Sequence, residues 1–263
     1  MTPAAWRELW AAASLPPTAP RRPLLIVGAA VGSIESVLAV QMLAAALPLR
    51  NQVDGSVEVI APADDALAQI ARWLRDNDHA GRWRDEALPV CDEAGRCVAR
   101  VERAVVRPLG IATHAVHLVG WADEDSQHQW LQQRAFDKAT DPGLWDTMVG
   151  GLIGVDESVE EALARECGEE AGLRVTDLHA LQPAGLVTVR RPVNGSGSGT
   201  GGYMVEHIHA LHCVVPACLA PVNRDGEVAR FECIDATEAD SRIATRRMTL
   251  EAALVIARCR ERP

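Results

Sequence analysis

Basic residues are in the minority: 26 Lys and Arg stand against 36 Asp and Glu, a formal net charge of −10 over 263 residues. That deficit argues against a broad nucleic-acid surface or an anionic membrane as partner. Phosphates can still be bound if metal ions stand between the two sets of negative charge. Residues 1–22 carry no basic leader and no cleavage signal, so export is not expected and a cytoplasmic location is. No apolar run is clean enough to span a bilayer. Residues 24–49 hold the single charge Glu35, but Gly28, Gly32, Ser33, Ser36 and Pro48 interrupt them. The stretch reads as a strand at 24–27, a glycine turn and a buried helix over 34–47. The turn from Gly28 to Gly32 lacks the Lys-Ser/Thr of a phosphate loop. The eight His do not fall into a metal-ligand spacing. The seven Cys (91, 97, 167, 213, 218, 233, 259) are odd in number and irregularly spaced. Cys91 and Cys97 bracket a turn, where a disulfide or half a zinc site competes with free thiols in a reducing compartment. No internal repeat is present.

What remains is ample core material, 48% apolar residues, in an order that suggests three segments. Residues 1–22 form a helix (4–14, with Trp6, Leu9, Trp10 and Ala13 on one face) and a stiff connector containing Pro16, Pro17 and Pro20. Residues 23–105 read as an accessory α/β domain: a strand at 57–60, a helix at 64–74 and a hairpin over 88–106 about the turn 92–95. Residues 106–263 alternate strands (111–121, 129–133, 145–148, 181–190, 203–215, 227–234) with one strong helix and a C-terminal helix at 249–260. The run 194–202, Asn-Gly-Ser-Gly-Ser-Gly-Thr-Gly-Gly, is a flexible hairpin tip or a lid over a site.

The chemistry lies in the segment that begins at Gly151. Ser158 and Glu161 make a capping box, so a helix should start at Val159. Val159, Leu163 and Cys167, with Ala162, form its buried stripe, and Gly172 suits the residue that stops it. Glu166, Glu169 and Glu170 then sit at i, i+3 and i+4 on one face. Like charges at that spacing repel, and in the last turn they also oppose the helix dipole. A divalent cation resolves both problems, and carboxylate oxygens are hard ligands that point to Mg²⁺ or Mn²⁺ rather than zinc.

The segment fits Gly-x5-Glu-x7-Arg-Glu-U-x-Glu-Glu-x-Gly-U, where U is bulky and aliphatic, and so resembles the Nudix box. Seven fixed positions would match by chance on the order of once in 10⁸ starts; the one soft departure is Cys167 at a U position. The resemblance implies a mixed α/β (α+β) fold, an α/β/α sandwich with a mixed sheet, preceded here by a small α/β N-terminal domain. It implies Mg²⁺ (or Mn²⁺) held mainly by Glu166 and Glu170. Glu169 corresponds to a further ligand or base, Glu157 to a supporting carboxylate and Arg165 to the residue that orients the Glu side chains. The Gly150 carbonyl completes the metal shell, and Glu227, in Asp225-Gly-Glu-Val228, is the candidate for a later ligand or general base. The implied reaction is hydrolysis of a diphosphate linkage in a small molecule, by an enzyme that is often a homodimer.

Further stretches are similar to a subgroup that includes the Nudix portion fused to thiamine pyrophosphokinase: Trp83-Arg-Asp-Glu86, Glu102-Arg-Ala104, 110–117, Arg134-Ala-Phe-Asp-Lys138 with Pro142-Gly143, and 225–231. That resemblance implies thiamine diphosphate and its oxidised or damaged forms as substrates. A nucleotide-pool sanitiser acting on oxidised nucleoside di- or triphosphates is the alternative with the same metal chemistry. Arg134 and Lys138 are candidates to face the distal phosphate, with Arg190 and Arg191 beside the Gly/Ser run. His114 and His117 point to opposite faces of their strand, and His117 is a candidate substrate contact. Trp121, Trp130 and Trp145 are core positions or stacking platforms. The 134–145 run is also similar to isopentenyl diphosphate isomerases. Those need an acid–base Cys on the strand before the box, where this sequence has Thr147-Met148-Val149. A binding module that lost activity would have lost box carboxylates, and all are present.

Overall fold

A computed structural model describes residues 2–60, 62–125, 127–193 and 202–261. The Gly/Ser-rich run read as a tip or lid lies outside the described residues except for Gly202. The chain opens with α1 (Pro3–Ala12), then β1 (Arg21–Ile26) and β2 (Ala29–Glu35), α2 (Ser36–Ala44), β3 (Leu49–Asn51), β4 (Val57–Val59) and α3 (Ala63–Asp76). The hairpin β5 (Ala87–Cys91) and β6 (Cys97–Glu102) follows. The helix expected over 34–47 is therefore shorter and begins later. Val27 and Gly28 both take positive φ (50° and 76°), the geometry of a tight hairpin turn. The chain folds back at once as β2, antiparallel to β1 from Ile26↔Ala29 to Arg21↔Glu35. Helical periodicity cannot reveal this, because the turn at Val27 and Gly28 and the pairing with β1 decide it.

The first sheet runs β2-β1-β4-β3, with β1 and β4 parallel. Its core takes Leu24, Ile34 and Leu38 together with the α3 stripe Leu67, Ile70 and Leu74. The same cluster includes Val105, Val106, Leu109 and Ile111, so its packing reaches past the boundary expected at residue 105. A 3₁₀ turn at Arg103–Val105 carries the chain on through that core.

The second sheet is built from β7 (Ala112–Trp121), β8 (His128–Arg134), β9 (Trp145–Thr147), β10 (Val149–Leu152), β11 (His179–Val193), β12 (Gly202–Val214) and β13 (Val228–Asp235). Three helices accompany it: α4 (Val159–Glu170), α5 (Ala236–Ala244) and α6 (Leu250–Arg260). The strand order is β11-β12-β7-β8-β13; β7 and β12 are parallel and β8 runs antiparallel to both its neighbours, which makes the sheet mixed. One face buries Val116, Leu118, Leu163 and Cys167 under α4, and the other buries Ala115, Val119, Ile208 and Leu254 under α6. The result is the α/β/α sandwich expected. Helix α1 docks here as well, with Trp6, Leu9 and Trp10 against the α6 side and the backbones of Ala13 and Leu15 bonded to Arg190 (2.7 and 2.8 Å).

Near its centre this sheet forks. Strands β7 and β8 pair only at Gly120↔Trp130 and Trp121↔Gln129. Beyond that point β10 takes the free edge of β7 and β9 takes that of β8. Backbone and side-chain donors are thereby aimed into one gap, beside the C-terminal end of α4.

No helix among the described residues is long and apolar enough to cross a membrane. All seven cysteines are free thiols. Cys91 and Cys97 are cross-strand neighbours but are not bonded, and among the described residues no His/Cys group forms a zinc site.

Candidate active site

The capping box forms as the sequence dictates: Ser158 Oγ accepts from the Glu161 amide (3.2 Å), and the Glu161 carboxylate accepts from the Ser158 amide (2.8 Å). This fixes the first turn of α4 and, through its buried stripe, the rotation of its acidic face. Cys167 lies fully buried in that stripe, and burial pushes its thiol up to about 12. It is a packing residue with no nucleophilic character.

Glu170 reaches into the fork and is only 4% exposed. Its Oε2 accepts from the Gly150 amide (2.9 Å) on β10 and from Gln132 Nε2 (3.0 Å) on β8. No cation forms an ion pair with it among the described residues, and burial, with the neighbouring Glu166 charge, pushes its carboxyl up to about 8. Burial likewise raises Glu166, against the opposing pull of Arg165; the charges of Glu169 and Glu227 add to the rise. These acids therefore share one neighbourhood. Arg165 gathers them. Its guanidinium grips both oxygens of Glu157 (2.8 and 2.9 Å), reaches Glu166 (2.7 Å) and Glu169 (3.3 Å), and donates to the Leu152 carbonyl (3.0 Å). Glu157 also caps the Gly154 amide (2.8 Å). The Arg165 hydrogen bonds hold the Glu157 carboxyl below its ordinary range, and the same contacts raise the guanidinium.

Glu227 stands just before β13 and is ion-paired to Lys138, the only lysine in the chain. Burial pushes its carboxyl up, but the Lys138 hydrogen bond and the charges of Lys138, Arg103 and Arg84 more than offset this and hold it low. Two of those cations belong to the N-terminal unit. Glu102 accepts from the amides of Arg84 and Glu86 (3.1 Å each) and so staples that loop, while Arg103 pairs with Glu86 (2.8 Å). Sequence reasoning missed Arg84 and Arg103 as neighbours of the acids, because nothing local indicates which side of the second unit the first one covers.

Other expected residues fall in supporting places. Arg134 is spent on Asp146 (3.1 Å) and on the Thr140 carbonyl (3.0 and 3.3 Å). It braces the 134–146 loop rather than presenting a free guanidinium to a phosphate. His117, expected as a substrate contact, is 7% exposed and lies behind Gly150. The Thr147 hydroxyl donates its one hydrogen to the Val149 carbonyl (2.9 Å), so it must accept from His117 Nδ1 (2.9 Å), and Asp146 lies 3.7 Å from the same nitrogen. Arg190 sits on β11, where its charge acts on His207; no contact among the described residues brings it to the acids. His114, His207 and His209 cluster on the α4 face, with ring centroids 5.2 and 5.9 Å from His114. Gln132 and Asp146, both buried, were missed by sequence reasoning: a polar residue inside a short strand gives no signal until the sheet is known to fork there.

Among the described residues no three His, Cys, Asp or Glu side chains already stand close enough to cage an ion. Glu169 is 53% exposed and Glu227 is taken by Lys138. The donors that fit a hard divalent cation are Glu166 and Glu170: two largely buried carboxylates, one without a cationic partner, in a position where burying an unpaired negative charge is costly. Gly151 permits this approach, because a Cβ there would overlap the Glu166 carboxylate. Gly151→Ala should therefore dislodge Glu166 and lower turnover by roughly 10²-fold while the melting temperature moves by only a few degrees. Unchanged turnover would remove Glu166 from the working site.

The match to the NUDIX domain model covers residues 113–257. The chain is 28% identical over 171 residues to Nudix hydrolase 24, chloroplastic, of Arabidopsis thaliana, covering 64% of this chain and 45% of that protein. It is 29% identical over 181 residues to Nudix hydrolase 20, chloroplastic, of the same plant (67% and 46%). It is 30% identical over 98 residues to the isopentenyl-diphosphate Delta-isomerase of Saccharopolyspora erythraea (37% and 50%). The chain thus spans about half the length of the curated relatives it matches. With the box carboxylates on one helix face, that helix capped as its sequence requires and the model matched over more than half of the residues, the chain belongs to the NUDIX domain family.

Proposed function

We propose that the protein is a Mg²⁺- (or Mn²⁺-) dependent pyrophosphohydrolase that cleaves the diphosphate of a small organic molecule to leave the monophosphate. The observation that carries this reading is Glu170, a buried carboxylate held by two donors with no cation paired to it, next to Glu166 on the same helix face. Glu166 and Glu170, beside Gly150, would hold the metal. When bound, it supplies charge neutralisation for the diphosphate and a nucleophile at neutral pH. Arg165 keeps Glu157, Glu166 and Glu169 aligned. Glu169, half exposed, and Glu227, held ionised by Lys138, are the two bases that could take a proton from an attacking water. Lys138, Arg103 and Arg84 provide positive charge for the terminal phosphate.

Thiamine diphosphate and its oxidised or damaged forms are the proposed substrates. Beyond Asp146, Glu206 and Glu251 are in no ion pair among the described residues. Glu251, largely buried, is pushed up to about 7 by burial and by the Glu206 charge. Carboxylates of this kind would accept from a cationic ring or an amino group. Thiamine diphosphate has both, in its thiazolium ring and its aminopyrimidine. A homodimer in a reducing, cytoplasmic setting completes the proposal, the setting on the strength of seven free thiols.

The test is a Mg²⁺ assay panel of thiamine diphosphate, oxidised thiamine diphosphate, oxidised deoxyguanosine di- and triphosphates and isopentenyl diphosphate, scored for phosphate and monophosphate. A kcat/KM at least tenfold higher on the thiamine compounds is the expected result. Preference for the nucleotides would replace the substrate assignment with nucleotide sanitising. Conversion of isopentenyl diphosphate without phosphate release would make the chain an isomerase.

A further inference from the structure

We propose that Gln132, from the β8 arm of the fork, is a positioning residue that turns one oxygen of Glu170 toward the metal. The inference rests on the metal reading above and adds the residue that sets the carboxylate's orientation. Glu170 Oε2 receives both donors in the fork, Gln132 Nε2 at 3.0 Å and the Gly150 amide at 2.9 Å. No hydrogen bond among the described residues reaches Oε1. Two donors from opposite arms, β8 and β10, fix the carboxylate about its own axis and leave Oε1 as the free ligand atom.

The second observation is the other end of the same amide. Gln132 is 2% exposed, and its Oε1 has no hydrogen-bond partner. A buried acceptor without a donor is disfavoured, and an apolar side chain of similar size would fill the space with no such defect. The carbonyl end therefore selects against glutamine here, and the amide end, the donor that faces Glu170, is what selects for it. Outer-sphere partners of metal ligands act in this way: they orient the ligand, and their loss weakens metal binding by about 10–100-fold.

The metal titration separates a positioning role from a structural one. In the full-length protein, Gln132→Leu should weaken Mn²⁺ binding, measured by titration calorimetry with the metal alone, by about 10–100-fold. The metal-free melting temperature should change little, because losing the donor to buried Glu170 and removing the unpartnered carbonyl oppose each other. Gln132→Met, which keeps the side-chain length without the donor, should do the same and serves if the leucine variant does not fold. Mn²⁺ affinity equal to the parent's in either folded variant overturns the proposal. So does failure of both variants to fold, which would assign Gln132 to stability. A parent protein that binds no Mn²⁺ overturns the metal reading itself, an outcome distinct from a parent that binds and variants that bind equally well.

Discussion

Glu170→Gln should lower turnover by about 10³-fold and yet make the metal-free protein more stable at pH 8. The second half of that expectation follows from burial. The folded-state carboxyl is pushed up to about 8 from an ordinary value of 4.5. The unfolded chain therefore releases this proton at lower pH than the folded one. Below the unfolded value both states are protonated and the site costs nothing. As pH rises from about 4.5 to 8, the folded protein must either retain a proton that the unfolded chain has lost or carry an unpaired buried charge, and stability falls. The cost is on the order of a few kcal/mol by pH 8. A glutamine has no charge to desolvate, and its carbonyl can still accept from Gly150 and Gln132. Unfolding curves at pH 5 and pH 8, with and without Mg²⁺, test this. At pH 5 the two proteins should nearly coincide; at pH 8 without metal the variant should be the more stable, and added Mg²⁺ should reverse the order by stabilising only the parent. Parallel pH dependence in both proteins would show that Glu170 is not the strained group.

Arg165→Ala should produce the opposite pattern: loss of activity together with loss of stability. One guanidinium satisfies Glu157 with two bonds and also reaches Glu166, Glu169 and the Leu152 carbonyl. Its removal leaves three carboxylates facing one another. The expected stability loss is about 1–3 kcal/mol, below the value for a fully buried network because Arg165 and Glu169 are both solvent-accessible. Activity should fall about 10²-fold as Glu166 loses its alignment. Arg165→Lys should recover little of either, because an ammonium cannot span Glu157 with two parallel bonds while reaching Glu166. The sign with pH is fixed by Glu157, whose carboxyl is depressed by Arg165. The contribution of this pair is present above the ordinary glutamate range and vanishes as pH falls through the folded value, so parent and variant should converge in acid. Full activity in the lysine variant would reduce Arg165 to a point charge.

These two residues also mark how far the primary structure speaks. Helix α4 is written in local terms. Ser158 and Glu161 close its first turn, its apolar stripe faces the sheet and it stops at Gly172, so Glu166, Glu169 and Glu170 share a face wherever the helix sits. Arg165, one residue before Glu166, meets its acids because helix geometry and a short preceding loop confine them together. The capped helix, its acidic face and the strands of the second sheet other than β10 were therefore legible, since each carries a pattern only a few residues long.

Whether those acids are buried was not legible, and burial separates an exposed acidic helix end from a metal site. The local sequence of α4 treats Glu169 and Glu170 alike. The fork of β7 and β8 buries Glu170 against Gln132 and Gly150 and leaves Glu169 half exposed. The same fork withdrew Arg134 and His117 into the supporting network, and in the first sheet the hairpin with β1 turned residues 29–35 into a strand. The tertiary fold also brought Arg84 and Arg103 of the first unit toward Glu227. Sequence alone determined which groups this protein has and which helix displays them. Tertiary structure decided which are dry, which are paired and which remain free, because desolvation and ion pairing depend on chain segments far apart in sequence.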